Sequence, residues 1–386
     1  MRIHQINLQP TVGGGEVYTR WFTRALVEAG ASVTLYVNPA NRFWDALSAE
    51  RIEVVRVSEP LQIANRLPAQ GAVLVTQSRM PDSFVGLAAG RHQLTGFAHM
   101  PMLGRSAGEF ARYSTVFTVS NYCIELLRNA GVPQVYPEPL YGTYELERDL
   151  AHAPANERAI RASSPYHWDN RKGRDRLLSV LEPLAQSVRA PGIFVRKPGI
   201  TLGVVSLLSP IKQFPLLFSH LAPRIARFPQ VHIEIFGNGG YAQVRDIRKS
   251  LAPLIDRVRF WGYQRDVASV YPQLDYLLAG LPEKEALGLN VLESQAAGTP
   301  VLAPGSPPFT ETMVHGASGF LYRDPREDGG EEFESVLTSV IEGRLKPDLG
   351  VATGHLRKFS YAAMVQRAHG VIEHLRATST TNSLNR

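Results

Sequence analysis

Two glutamates, Glu285 and Glu293, stand eight residues apart in the stretch 277–303, LLAGLPEKEALGLNVLESQAAGTPVLA. Carboxylates can exchange protons, act as nucleophiles or grip hydroxyl groups, and their spacing selects among these. On one continuous helix, eight residues separate two side chains by ~12 Å in rise and ~80° in azimuth. A carboxylate pair that works across a single glycosidic bond stands ~5–9.5 Å apart. The two acids therefore have separate tasks, one in a loop and one on a helix. Gly288, between them, lets backbone approach a ligand closely, and a helix N-terminus behind it favours an anion or sugar oxygens.

The surrounding elements can be read directly. A short apolar run ends in Ala279-Gly280-Leu281-Pro282, an acidic loop follows, and a helix spans 289–297. Gly298 stands at a helix C-cap position, and Thr299-Pro300 leads into the apolar run 301–303. Strand, loop, helix and strand make one βαβ unit, with Glu285 outside the carboxyl end of its first strand, where such sheets bind ligands. The order Pro282, Glu285, Gly288, Leu289, Leu292-Glu293, Ala296, Gly298, Pro300-Val301 resembles the E-x7-E signature of retaining GT-B glycosyltransferases of the GT4 type. In that family the first acid lies beside the donor sugar and the second binds the nucleotide's ribose hydroxyls. The resemblance assigns these tasks to Glu285 and Glu293.

Composition sets the bounds. At 386 residues the chain has room for two domains of ordinary size, and 44% hydrophobic with 20% charged residues is ordinary for a soluble protein. No apolar run of ~18 residues suggests a membrane span. The start, MRIHQINLQP, reads as a strand and not as a signal peptide, so the cytoplasm is the expected compartment. Cys123 is the only cysteine, which excludes an internal disulfide and a cysteine-rich zinc site. Net charge is +6, and residues 151–198 hold nine Lys/Arg against four Asp/Glu. Basic surfaces attract nucleic acid, anionic lipid or phosphorylated substrates. Without a nucleic-acid motif or interleaved aromatics, an anionic substrate or the inner surface of a membrane is the expected partner.

In chain order, 3–7 reads as a first strand, followed by Gly13-Gly14-Gly15-Glu16 and a helix from Val17, with Trp21, Phe22, Leu26 and Val27 at helical spacing. A triple glycine between strand and helix suits close approach to phosphates or a sugar. It is not the G-x-G-x-x-G of dinucleotide sites, so a nicotinamide oxidoreductase is poorly supported. It does resemble the GG-x-E loop of the same glycosyltransferase family. Short apolar runs at 33–37, 52–57, 72–76, 93–98 and 115–119 predict a doubly wound sheet. His99 follows one of these runs. A lone histidine at a strand end is commonly structural, but the family often carries one there that contacts the donor sugar. Thr118-Val119-Ser120-Asn121 resembles a strand-to-helix junction of that domain, and Ser120 fits an N-cap equally well. Residues 156–163 read as helical. From 163 the sequence SSPYHWDNRKGRDRLLSVLEPLAQSVR reads as a basic amphipathic helix with an aromatic preface, its Leu177, Leu178, Val180, Leu181 and Leu184 on one face. Such a helix packs on its own domain or lies on a membrane.

The second half begins with a strand at 200–208. The family carries a G-R-L-x-x-x-K-G pattern here, whose arginine and lysine clamp the donor diphosphate. Lys212 holds the lysine position, while Ser206 and Leu207 replace glycine and arginine. Lys284 is a candidate replacement cation. The strand 231–236 and Gly237-Asn238-Gly239-Gly240 resemble the family's G-x-G segment near the nucleotide, and Tyr263-Gln264-Arg265 falls where its loop faces the base. Thr310-Glu311 and 316–321 resemble the P-E…G-x-x-G-F-L segment, with Thr310 for proline.

These readings give an α/β chain of the GT-B class, two Rossmann-like doubly wound domains facing across a cleft. The expected boundaries are 1–198 for an acceptor-side domain with a basic insertion at 144–198, 199–358 for the nucleotide-sugar domain, 359–376 for a helix crossing back, and 377–386 for a disordered tail. The resemblance implies retaining, metal-independent glycosyl transfer from a UDP- or GDP-linked sugar to a glycan or glycolipid hydroxyl, without a further cofactor. Catalytic roles fall to Glu285, Lys212 and His99, and donor binding to Glu293, Gly14, Gly15, Gly237, Asn238, Tyr263, Gln264, Leu287, Gly288 and Leu289. A GT-B scaffold or nucleotide-binding subunit without activity is the competing expectation, because Leu207 stands where the clamp arginine belongs.

Overall fold

Apolar runs of four to six residues separated by helical stretches fold into parallel strands whose connections must cross over a sheet face. A computed structural model describes residues 1–50, 52–104, 106–146, 159–168, 173, 175–180 and 192–384. The chain divides into two units, Met1–Tyr144 with Arg357–Arg386, and Glu145–Leu356.

The first unit holds a six-stranded sheet of β1 (Arg2–Asn7), β2 (Ser32–Val37), β3 (Glu53–Arg56), β4 (Val73–Thr76), β5 (Gln93–Ala98) and β6 (Thr115–Thr118). Its order is β3-β2-β1-β4-β5-β6, all parallel. The second sheet comprises β7 (Ile200–Val205), β8 (Val231–Phe236), β9 (Val258–Gly262), β10 (Tyr276–Leu278), β11 (Val301–Pro304) and β12 (Gly319–Tyr322). Its order, β12-β11-β10-β7-β8-β9, is the same winding, again all parallel. Both are doubly wound in the Rossmann sense, with the strand order reversing between β1 and β4 and between β7 and β10. In the second unit the pleat sends Leu202 and Val204 into one core and Val205 into another on the opposite face.

Three expectations are corrected. The first unit ends at Tyr144, not at 198, and the described part of the insertion joins the second unit. The reason is apolar: Ile160 and Phe194 are buried in one cluster with Phe236 and Trp261, alongside Val270, Tyr271 and Leu274 of the β9–β10 connection. Residues 159–163 are not helical, and Arg161 instead bridges Ile193 in antiparallel fashion. Residues 163–168 are also non-helical; of the expected amphipathic helix, 175–180 is helical with Leu177 and Val180 exposed, whereas Leu181 and Leu184 lie outside the described residues. Finally, the last helix runs Tyr361–Leu384, through most of the expected tail. Hydrogen bonds between Gln93 at the start of β5 and both Thr378 and Ser379 hold that extension on the first unit.

Candidate functional site

The reversal between β7 and β10 brings Lys212 and Glu285 together. After β7 the chain turns through a 3-10 segment, Pro210–Lys212, and Gln213 at φ 53° starts the helix Phe214–Ile225. After β10, Gly280 lies so close to this turn that a Cβ there would stand 2.8 Å from the Lys212 carbonyl oxygen. The Lys212 ammonium contacts the Glu285 carboxylate, and the two side chains are 24% and 15% exposed. Glu285 Oε1 also accepts the backbone N–H groups of Ala286 (3.2 Å) and Gly288 (3.1 Å). Burial alone would raise the pKa of Glu285. The Lys212 charge and these hydrogen bonds outweigh it and hold the carboxyl below its ordinary value. The Gly288 amide, at the entry to the next helix, is thus engaged by Glu285.

Glu293 lies on the helix Leu289–Ala296, which Gly288 starts at φ 81° and Gly298 follows at φ 80°. Leu287 is buried and Leu289 half-buried at its entry. The Glu293 carboxylate accepts the Tyr271 hydroxyl at 2.6 Å. Burial raises its pKa, against the Tyr271 bond and the Lys212 charge, which lower it. Glu285 and Glu293 are thus shifted in opposite directions from the ordinary carboxylate value, the first by its ion pair and hydrogen bonds and the second by burial. Tyr271 falls in a stretch, with Gly262 and Asp266-Val267, whose pattern resembles the family's F-x-G…D-V…Y segment, but its bond to Glu293 was not foreseen. Asn290 was not singled out from sequence; its side-chain amide donates to the Val205 carbonyl at 3.1 Å and ties this helix to the end of β7. Lys284 is half-buried, and its neighbour Glu283 pairs with Arg326 at 2.6 Å.

Gly237 and Asn238 close the end of β8 against β7 and β9. The Gly237 amide donates to the Gly262 carbonyl at 2.7 Å, and Leu208 N–H donates to the Asn238 carbonyl at 2.8 Å. At Gly237, φ is 138° and a Cβ would stand 1.9 Å from the Ser206 carbonyl oxygen, so only glycine fits. Leu207 is 44% exposed. Tyr263 is 60% exposed, and the Gln264 amide donates to the carbonyls of Arg161 (3.0 Å) and Trp261 (2.9 Å).

The first unit carries a separate group at its own reversal, between β1 and β4. Gly14 and Gly15 form the first turn of the helix Gly14–Glu28, and Glu16 is buried with its carboxylate accepting the Gly13 amide (2.8 Å) and the Asn7 side-chain amide (3.3 Å). The acid of this loop therefore braces the glycine turn, a cap that the three-residue spacing to Gly13 signals. His99 follows β5, stacks on Phe97 with centroids 5.1 Å apart, and pairs its Nε2 with Gln77 Oε1 at 2.7 Å. Burial lowers its pKa to about 4, so the ring is neutral near pH 7. Gln77, 4% exposed, was not anticipated, and its side-chain nitrogen has no hydrogen-bond partner among the described residues. Ser120 is an N-cap, its hydroxyl accepting the Cys123 amide at 3.2 Å. Among the described residues no cluster of three or more His, Cys, Asp or Glu could hold a metal, and no helix is long and apolar enough to cross a membrane.

Two six-stranded parallel sheets of Rossmann order with flanking helices constitute the GT-B fold. Residues 199–341 match the family model described as Glycosyl transferases group 1. The chain is 28% identical over 169 residues to the phosphatidyl-myo-inositol mannosyltransferase of Mycobacterium tuberculosis, covering 42% of this chain and 44% of that protein. It is 24% identical over 369 residues to the D-inositol 3-phosphate glycosyltransferase of Kribbella flavida, covering 85% and 82%. The mycobacterial match spans less than half the relative's length. Among solved structures, the Anabaena protein HepE in complex with UDP and glucose superposes with a TM-score of 0.70 at 15% identity, covering 97% of this chain and all of that one. Sucrose-phosphate synthase of Thermosynechococcus elongatus superposes at 0.66 with 13% identity, covering 98% and 99%.

Proposed function

We propose that this chain is a retaining glycosyltransferase that moves a sugar from a nucleotide-sugar donor to a hydroxyl of a glycan or glycolipid. The observation that carries the reading is the Lys212–Glu285 pair at the reversal between β7 and β10, with Glu293 on the helix that follows. Open α/β sheets bind ligands at that point. The ammonium is fixed there by a carboxylate and neutralises charge developing on a departing diphosphate. Glu293 accepts hydrogen bonds from the ribose hydroxyls. Glu285 holds Lys212 in place and meets the donor sugar. The bond from the anomeric carbon to the diphosphate breaks, a bond from the same carbon to the acceptor oxygen forms on the same face, and the acceptor proton passes to the departing phosphate oxygen. The matched family domain and relatives named as a phosphatidyl-myo-inositol mannosyltransferase and inositol-phosphate glycosyltransferases support this reading and favour a lipid- or phosphate-bearing acceptor.

The test is thermal-shift binding of UDP, GDP, ADP and their sugars, with E293A as control, followed by NMR of the product's anomeric configuration. A shift for one nucleotide, lost in E293A, and a retained configuration are expected. Full transfer by E285A or E293A would remove the assigned roles. A second reading, an inactive nucleotide-binding scaffold, is favoured by one observation: exposed Leu207 occupies the clamp-arginine position. Nucleotide binding without donor turnover would select it.

A further inference from the structure

The segment 160–168 does more than fill a sheet face. Beyond Ile160 it climbs across the carboxyl ends of β9 and β8, the side on which open α/β sheets bind ligands. At β9 the Ser163 amide donates to the Trp261 carbonyl at 2.8 Å, and the Ser163 hydroxyl donates to the Tyr263 carbonyl at 2.9 Å. The crossing requires Gly262, because a Cβ there would stand 2.4 Å from the Ser163 carbonyl oxygen. At β8 the Gly239 amide donates to the Pro165 carbonyl at 3.0 Å, the His167 amide donates to the Gly239 carbonyl at 2.8 Å, and Tyr166 bridges Gly239 in parallel. Packing alone would call for apolar side chains. Here the strap instead occupies main-chain groups of the two loops that follow β8 and β9, then ends in a half-buried aromatic cluster. In it Tyr166 lies 4.9 Å from Trp168 and 5.8 Å from Tyr241, centroid to centroid.

We infer that this strap is the base-side wall of the nucleotide site, with Ser163 and Tyr166 the residues that meet the base. The inference rests on the proposed donor site, taking Gly237, Asn238, Tyr263 and Gln264 of these two loops as the donor-binding residues that the family resemblance implies. Because the carbonyl of Tyr263 and both main-chain groups of Gly239 are already bonded to the strap, a base entering here meets the strap and not bare loop. The hydroxyl of Ser163, its proton spent on a carbonyl, offers lone pairs to a base N–H. The Tyr166 ring offers an apolar surface of the kind on which bases stack.

The experiment compares wild type, S163A, Y166A and Y166F by calorimetry with UDP, GDP and inorganic pyrophosphate, a probe that lacks the base. Y166A is expected to bind the preferred nucleoside diphosphate about tenfold more weakly. Y166F should stay within about twofold of wild type, and pyrophosphate affinity should be equal in all four proteins. Equal losses for pyrophosphate and nucleotide in Y166A would mean that the strap acts through the fold, and would overturn the inference. Unchanged or tighter nucleotide binding in both Y166A and S163A would make it a bystander or a cover, and would also overturn it. If Y166A does not fold, S163A decides alone by the same comparison. Wild type that binds pyrophosphate but no nucleotide overturns the donor-binding reading itself, whereas nucleotide binding indifferent to the strap overturns only this step.

Discussion

Replacing Lys212 by methionine keeps the length of the stem and removes its charge, leaving the Glu285 carboxylate with its two backbone donors. Unit charges ~4 Å apart interact by about 4 kcal/mol at an effective dielectric of ~20. The two side chains keep 24% and 15% of their exposure, so solvent reduces this to a coupling of about 2 kcal/mol. In a unit of this size that corresponds to a fall of roughly 4–8 °C in its melting temperature. The assay is a double-mutant cycle of K212M, E285Q and the pair, by calorimetry or urea unfolding at pH 7. K212M should lose about 2 kcal/mol or more, and the double variant should recover most of the coupling, since neither charge is then stranded. The pKa of Glu285 is lowered in the folded state, so the coupling is fully present above the ordinary carboxylate value of 4.5 and fades as pH falls through the lower folded value. Transfer should fall roughly 10²–10³-fold in K212M, and the double variant should not regain it. A coupling below about 0.5 kcal/mol would put the pair among ordinary surface ion pairs and refute the reasoning.

Three further outcomes follow from the same geometry. Gly237→Ala must push a Cβ into the Ser206 carbonyl from a backbone conformation that alanine avoids, and should cost about 3 kcal/mol or more in urea unfolding; a loss under 1 kcal/mol would mean that the β8 turn can move. Glu293 has a raised pKa that the Tyr271 bond holds down, so nucleotide affinity should fall on the acid side through a value above 4.5. Tyr271→Phe should move that fall to still higher pH, and an unmoved or lower midpoint would detach Tyr271 from the titration. His99, with its pKa near 4, should keep the ring NMR shifts of a neutral imidazole from pH 8 down to about 5.5; a midpoint near 6.5 would show a solvated ring.

Where local chemistry over-determines a feature, the sequence carried it. The βαβ unit around Glu285 was legible because glycines, a proline and apolar runs punctuate it in the order that strand, loop, helix and strand require, and Gly288 and Gly298 do sit at the positive φ that glycine tolerates. The strands of both sheets were legible as apolar runs because parallel strands are buried on both faces. Near Leu177 the apolar spacing did mark a helix over 175–180, but 159–163 was misread as helical and the insertion was assigned to the wrong unit. Phe236 and Trp261 lie 42 and 67 positions after Phe194 and 76 and 101 positions after Ile160, and no local period encodes such partners. Long-range pairing hid the ends of the chain in the same way: the polar residues after 377 read as solvated until Gln93 supplied them with bonds.

The site was legible as a set of residues but not as a circuit. Lys212 and Glu285 lie 73 positions apart, and each motif described one of them alone. Only the strand order, with β7 beside β10, turns two motifs into one ion pair. That pairing bears on Leu207. A carboxylate that already fixes the single ammonium makes Lys212 a preorganised donor, which reduces the reorganisation that a freely mobile lysine would need as charge develops on a leaving group. It also means that Glu285 competes with any diphosphate for the same cation. A site that lacks the clamp arginine therefore depends on how readily Glu285 shares Lys212. The two backbone donors that hold Glu285 in place when the lysine turns toward an anion, those of Ala286 and Gly288, make that sharing less costly.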